Sequence, residues 1–199
     1  MIQAILEYCR AHWVELAGSV LGLIQIWLLV RRSIWNFPLA MVSVSLIAVT
    51  LFEARYYSEA GLQVFFFVVN AVGWFQWRGA LDAGHHVTVG WMTRSQRQIW
   101  LAITALLSLS LGWLMNHFTN AALPFADSAV AGASIAAQLL LNARKIENWV
   151  LWVLIDVVSI GLYLYRDLYF LLALYLAYLV ISVIGLREWI AAEKGEAAV

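Results

Sequence analysis

Charge is what this sequence has least of. Only 12% of its 199 residues are Asp, Glu, Lys or Arg, about half the fraction of a soluble domain. Twelve basic and twelve acidic residues cancel, and no basic block occurs. That excludes the electrostatic footprint of a nucleic-acid partner. The single cysteine, Cys9, excludes a disulfide framework and a thiolate metal site. The only lysines, Lys145 and Lys194, lie at or beyond helix ends, so a retinal Schiff base has no lysine in the last span. None of His12, His85, His86 and His117 pairs with an acid inside an apolar run. The His85-His86 pair reads as polar linker. An intramembrane enzyme would need a nucleophile–base pair or clustered metal ligands, so no enzymatic activity, metal or cofactor is expected. A receptor or scaffold would leave inward polar stripes unexplained. Glu7, Arg10 and Glu15 interrupt the N-terminus, which does not resemble a cleavable signal peptide.

What is present in excess is apolar. Hydrophobic residues make up 64% of the chain and the mean hydropathy is +0.82. They fall in long runs near 11–30, 34–52, 61–78, 98–117, 126–142, 148–165 and 168–187. Spanning the hydrocarbon core takes ~20 apolar residues as a helix, and backbone facing lipid must be hydrogen-bonded within its own segment. The runs lack the alternation of a barrel. An all-α membrane protein of seven transmembrane helices is expected, with the short, small-residue-rich fifth run the least regular.

Seven spans sort the loops into two sets. One holds Arg31, Arg32, Arg78, Arg94, Arg97, Arg144, Lys145, Arg187 and Lys194; the other holds Arg10, Arg55 and Arg166. The positive-inside rule places the first set in the cytoplasm, with the N-terminus outside and the C-terminus inside.

Sliding the sequence by 112 positions superposes Arg32 on Arg144, Asn36 on Asn148, Leu39 on Leu151, Tyr57 on Tyr169, Leu62 on Leu174, Gly73 on Gly185 and Trp77 on Trp189. The Asn, Gly and Trp matches in one ungapped register point to a duplicated three-helix unit. The division expected is residues 1–78, a cytoplasmic loop and linker helix over 79–122, and a second unit over 123–199. An odd number of intervening helices makes the repeat parallel, a 3+1+3 arrangement of the kind transporters use.

Polar residues within the runs line up. Asn148, Trp152, Asp156, Ser159 and Tyr163 recur every three or four residues, on one helical face. Trp149 falls off that stripe, and interfacial anchoring is its alternative reading. Asp156 lies two turns deeper; an intramembrane carboxylate faces a protein interior or watery cavity, at ~3 kcal/mol on insertion scales. Its structural alternative is a hydrogen bond to a neighbouring helix. Gln63, Asn70, Trp74 and Trp77 form a third-span stripe, and Ser134, Gln138 and Asn142 a fifth-span stripe. The seventh span lines up Tyr175, Tyr178, Ser182, Gly185 and Trp189. Tryptophan and tyrosine faces attract delocalised cations, amides suit hydroxyls and carboxamides, and no cationic side chain lies mid-membrane. The solute expected is small, flat and aromatic, neutral or cationic. Gly18-xxx-Gly22 and "AVAGASIAA" read as close-packing surfaces.

The stretch Leu123–Trp189 resembles the Pnu family of bacterial vitamin transporters, of the nicotinamide riboside type. The resemblance is sharpest at Ala143-Arg-Lys, at Glu147-Asn148-Trp149-xx-Trp152 with Asp156, at Leu174-Tyr175 and at Gly185-xxx-Trp189. "ELAGSVLGL" from Glu15 and "NAVGWFQW" from Asn70 fit more loosely. The resemblance implies a fold related to the SWEET sugar transporters, in the bacterial inner membrane, with the vitamin bound between the three-helix units. It implies uptake by facilitated diffusion with trapping by intracellular phosphorylation and no coupling ion. Carried over residue by residue, it implicates Asn70, Trp74, Gln138, Asn148, Trp149, Trp152 and Asp156; the stripes add Tyr163 and Tyr175. Asn142 departs from the family pattern and would add a contact. The family also includes thiamine transporters, and thiamine is likewise a flat cation. The amide-rich lining favours the riboside. The partners expected are such a vitamin and the lipid bilayer, with self-association left open.

Overall fold

The computed structural model describes residues 13–53, 55, 57–82, 87–119 and 123–196. Cys9, Arg10, His12, His85 and His86 lie outside them. Seven helices are present among the described residues: α1 (Trp13–Val30), α2 (Asn36–Glu53), α3 (Tyr57–Asp82), α4 (Arg94–Phe118), α5 (Pro124–Asn142), α6 (Glu147–Tyr165) and α7 (Tyr169–Glu196). Six of them are long and apolar enough to cross a membrane. In the seventh, α1, the apolar stretch among the described residues is Ala17–Val30.

Two compact units emerge, residues 1–87 and 88–199. In the first, α1 packs on α2 and α2 on α3; in the second, α4 packs on α5, α5 on α6 and α6 on α7. Packing therefore assigns α4 to the second unit, whereas the sequence reading set residues 79–122 apart as loop and linker. The reason is a close approach: a Cβ at Gly132 of α5 would collide with Ser108 of α4, and one at Gly112 of α4 would meet the Phe125 ring. The glycine pair of α1 works similarly. A Cβ at Gly18 would sit 3.1 Å from Ile47 of α2, and Ser43 Oγ donates to the Gly18 carbonyl at 2.7 Å. Without a hydrophobic force between helices in lipid, such contacts and hydrogen bonds hold them together. Large apolar side chains such as Leu101, Leu106, Phe75 and Val180 are 60–72% exposed, as a lipid-facing surface requires.

Within each unit the same local geometry recurs at the 112-residue offset. Arg32 and Arg144 both adopt left-handed backbone, φ 54° and 59°. Arg32 N–H donates to the Leu29 carbonyl and Ser33 N–H to that of Leu28; Arg144 and Lys145 donate to Leu141 and Leu140. Both are Schellman terminations, held by residues with a Cβ penalty rather than by glycine. The next turns match too: Arg55 and Asp167 have φ 65° and 55°.

Candidate functional site

The turn from α5 to α6 is built around Asn148. Its Nδ2 donates to the Lys145 carbonyl at 2.7 Å, as Asn36 Nδ2 donates to Ser33 at 2.7 Å in the first unit. Asn148 is fully buried, and its Oδ1 has no hydrogen-bond partner among the described residues. Half of this side chain is therefore committed to the turn and half is unpaired, a division that the polar-stripe reading did not anticipate.

The two tryptophans of α6 separate. Trp149 is 1% exposed, meets Trp189 of α7 edge to face at 5.8 Å, and lies where a Cβ on Gly185 would be 2.6 Å from its ring. That contact explains the Gly185-xxx-Trp189 spacing: glycine admits the indole and tryptophan closes it from one turn away. Phe37 and Trp77 make the corresponding contact in the first unit, at 5.1 Å and the same 84° interplanar angle. Trp149 thus locks α6 to α7 and is no interfacial anchor. Trp152, one turn on, is half-buried and has no aromatic neighbour among the described residues.

Asp156 is the tenth of nineteen residues of α6, hence at mid-membrane depth, and is 2% exposed. Ser182 Oγ of α7 donates to its Oδ2 at 2.8 Å. Oδ1 accepts no hydrogen bond among the described residues, and Ser159 Oγ, one turn along α6, is buried with no partner. Toward the other end of α6, Tyr163 stands 5.0 Å from Tyr175 of α7, which stands 5.5 Å from Tyr178. Gln138 and Asn142 of α5 are both buried, at 8% and 5% exposure. In the first unit, Asn70 donates to its own helix at Phe66, and Trp74 meets Trp35 edge to face at 5.9 Å. The second unit therefore brings Asp156 to Ser182, Trp149 to Trp189 and Tyr163 to Tyr175. Asn70 and Trp74 sit in the first.

Sequence reasoning missed the strap before α4. Gly90 pairs with the α5–α6 turn, donating to the Arg144 carbonyl and accepting from Ile146 N–H. Glu147 Oε1 accepts from Met92 N–H at 2.9 Å and from Arg97 Nε at 2.7 Å. The available signal was an acid at the first position of α6, where the helix dipole favours it. Substituting Glu147 with Gln keeps the Met92 acceptor and loses the ion pair; Ala loses both. Glu147→Ala is expected to destabilise the strap by about 1–2 kcal/mol, read as faster amide exchange at Met92, with Gln intermediate. At the opposite end of α6, Arg166 donates to both Asp127 oxygens at 2.9 Å. That hydrogen bonding raises the guanidinium pKa above its ordinary value.

No group of three or more metal-binding side chains occurs among the described residues. The arrangement is a set of buried amides, hydroxyls, one carboxylate and aromatic rings at membrane depth, suited to holding a polar solute rather than to bond making.

Known proteins share this construction. The fold matches the crystal structure of the vitamin B3 transporter PnuC with a TM-score of 0.75, at 26% identity, over 97% of this chain and 87% of that one. The chain is 28% identical over 213 residues to the nicotinamide riboside transporter PnuC of Escherichia coli, covering 94% of this chain and 89% of the relative. It is 27% identical over 180 residues to the riboflavin/roseoflavin transporter RibM of Streptomyces davaonensis, covering 89% and 84%. The pattern of the nicotinamide mononucleotide transporter family runs through residues 12–191, and with nearly the whole chain so matched, this seven-helix protein belongs to that family of membrane transporters.

Proposed function

We propose that the protein takes up nicotinamide riboside across the bacterial inner membrane by facilitated diffusion, with the N-terminus outside. Intracellular phosphorylation would trap the vitamin, and no ion would be coupled. The observation that carries this reading is the half-paired polar stripe of α6. Asp156 is anchored through one oxygen by Ser182, and the unpaired acceptors Asn148 Oδ1 and Ser159 Oγ lie on the same helix. A ribose and a carboxamide offer the donors those acceptors lack. The half-buried ring of Trp152, without an aromatic neighbour among the described residues, suits a pyridinium face, by ~2 kcal/mol or more when water is excluded. Gln138, Asn142, Tyr163 and Tyr175 extend the contact set in the second unit, and Asn70 and Trp74 supply it from the first. Trp149 supports the set by fixing α6 on α7.

The architecture that goes with this function is two parallel three-helix repeats, α1–α3 and α5–α7, of SWEET-like type, with α4 between them in sequence. Its support is the recurrence at one offset of the left-handed arginines, the Asn36 and Asn148 hydrogen bonds, and the paired aromatic contacts.

The relative RibM makes a flavin the competing solute, and thiamine is a second flat cation. Calorimetric titration of the purified protein with nicotinamide riboside, riboflavin and thiamine in parallel decides among them. Binding of the riboside with the other two silent is expected. Binding of riboflavin or thiamine with silence towards the riboside would overturn the assignment.

A further inference from the structure

Positive charge gathers where the strap meets the second unit. Residues 87–98 and 143–147, which are the strap, the first turn of α4 and the α5–α6 turn, hold the cations Arg94, Arg97, Arg144 and Lys145 against a single acid, Glu147. Backbone pairing brings these segments together. Gly90 bridges to Lys145, its N–H donates to the Arg144 carbonyl, and its carbonyl accepts from Ile146 N–H. Glu147 is committed to Met92 N–H and to Arg97 Nε. Both Nη groups of Arg97 stay unbonded among the described residues, and its guanidinium carbon lies 5.4 Å from the centre of the Trp91 ring. The side chains of Arg94, Arg144 and Lys145 make no hydrogen bond or ion pair among the described residues.

The equivalent turn of the first unit is arranged otherwise. At the 112-residue offset Arg144 falls on Arg32, whose Nη1 donates to the Val87 carbonyl at 3.2 Å, and Lys145 falls on the uncharged Ser33. The remaining cation of that turn, Arg31, lies over the Trp27 ring of its own helix at 5.3 Å. Both turn cations of the first unit are thus engaged by protein groups, and those of the second are not.

The place of this cluster on the second unit says what kind of anion would meet it. Val89 and Met92 are buried, whereas Trp91 between them is 37% exposed. Helix α4 buries only Gly112, and Ile99 and Leu101 are 54% and 72% exposed. From Arg97 to Leu101 the helix rises about 6 Å. The cations therefore stand one turn from an apolar flank that acyl chains must cover. Indole rings settle at the headgroup level, guanidinium forks match phosphate oxygens, and basic clusters at this depth recognise anionic headgroups. A soluble anion would use the cations alone, whereas a phospholipid uses the cations, the indole and the flank of α4 together.

We propose that this corner of the second unit binds an anionic phospholipid, its phosphate held by Arg94, Arg97, Arg144 and Lys145 and its acyl chains lying along α4. The proposal depends neither on which solute is carried nor on which leaflet holds this end of the unit.

Native mass spectrometry of the detergent-purified chain, offered equal phosphatidylglycerol and phosphatidylcholine, reads the ratio in which the two lipids are retained. Wild type is expected to favour phosphatidylglycerol by at least about fivefold, and a smaller preference overturns the proposal. The triple variant Arg94→Gln/Arg144→Gln/Lys145→Gln is expected to fall below about twofold. Its unliganded melting temperature should not change, since these side chains bond to no protein group. A triple variant above twofold overturns the proposal. Arg187→Gln/Lys194→Gln removes two exposed cations from the end of α7 and should keep the wild-type ratio; an equal loss there would mean diffuse charge attraction and overturns a defined site. If the triple variant melts lower or cannot be purified, Lys145→Gln alone decides. A lowered ratio is then expected, and an unchanged one overturns the proposal. Loss of the wild-type preference in millimolar inorganic phosphate, at matched ionic strength, would assign the cluster to a soluble anion and overturns the lipid.

Discussion

Replacing Trp149 with alanine is expected to destabilise the second unit by about 2–3 kcal/mol. Truncating a buried aromatic costs ~3–5 kcal/mol in a water-soluble core, part of it transfer free energy and part the residual cavity. In a bilayer the transfer part is small, because lipid chains are as apolar as the core. What remains is lost packing over Gly185 and against Trp189, where contact is too close to admit even a methyl group on Gly185. Thermal unfolding in detergent checks this, and a loss under ~0.5 kcal/mol would mean that the site collapses around the void. Gly185→Leu should be comparably damaging, because overpacking forces the indole out of its rotamer. Phe37→Ala is the matching experiment in the first unit, where Phe37 and Trp77 are both fully buried.

Asp156→Ala is expected to leave the helices folded and to weaken solute binding by at least tenfold. The fold tolerates the change because the only hydrogen bond lost among the described residues is that from Ser182, and a helical serine can turn back to a carbonyl of its own preceding turn. Binding suffers because the variant loses both an anchored oxygen and an unpaired one at the middle of α6. An acceptor that meets a substrate hydroxyl or amide contributes roughly 1.5–3 kcal/mol when charged. Ser182→Ala separates positioning from contact. It leaves the carboxyl in place without its anchor, so a loss smaller than that of Asp156→Ala is expected. Equal riboside affinity for wild type and Asp156→Ala, measured by calorimetry, would make Asp156 a structural link between α6 and α7 and nothing more.

The sequence was most informative where a property is carried by chain-local pattern. Seven helices coincide with seven apolar runs, α7 continuing past the end of its run to Glu196, because spanning length and backbone satisfaction leave no other solution for such runs. Gly18-xxx-Gly22 was legible as a packing surface because only small residues permit that approach. The 112-residue register was visible in Asn, Gly and Trp identities, and the same offset recurs in left-handed turns that no propensity would assign to arginine.

Tertiary structure decided which of the aligned polar residues are already engaged. Trp149 and Trp152 are one turn apart and chemically identical, yet one ring is enclosed by Gly185 and Trp189 and the other is half-buried without an aromatic neighbour among the described residues. Asn148 divides its amide between a turn and an unpaired acceptor, and Asp156 finds its partner 26 residues away on α7. Helix α4 joins the second unit through Gly132 and Ser108, a pairing that needs both helices in place. By itself the sequence determined the membrane-spanning helical class, the duplicated register and the residue types available for a solute. It could not apportion them, because helical periodicity specifies which side chains share a face, whereas a partner on another helix, distant in sequence, specifies which hydrogen-bonding groups and ring faces remain unoccupied.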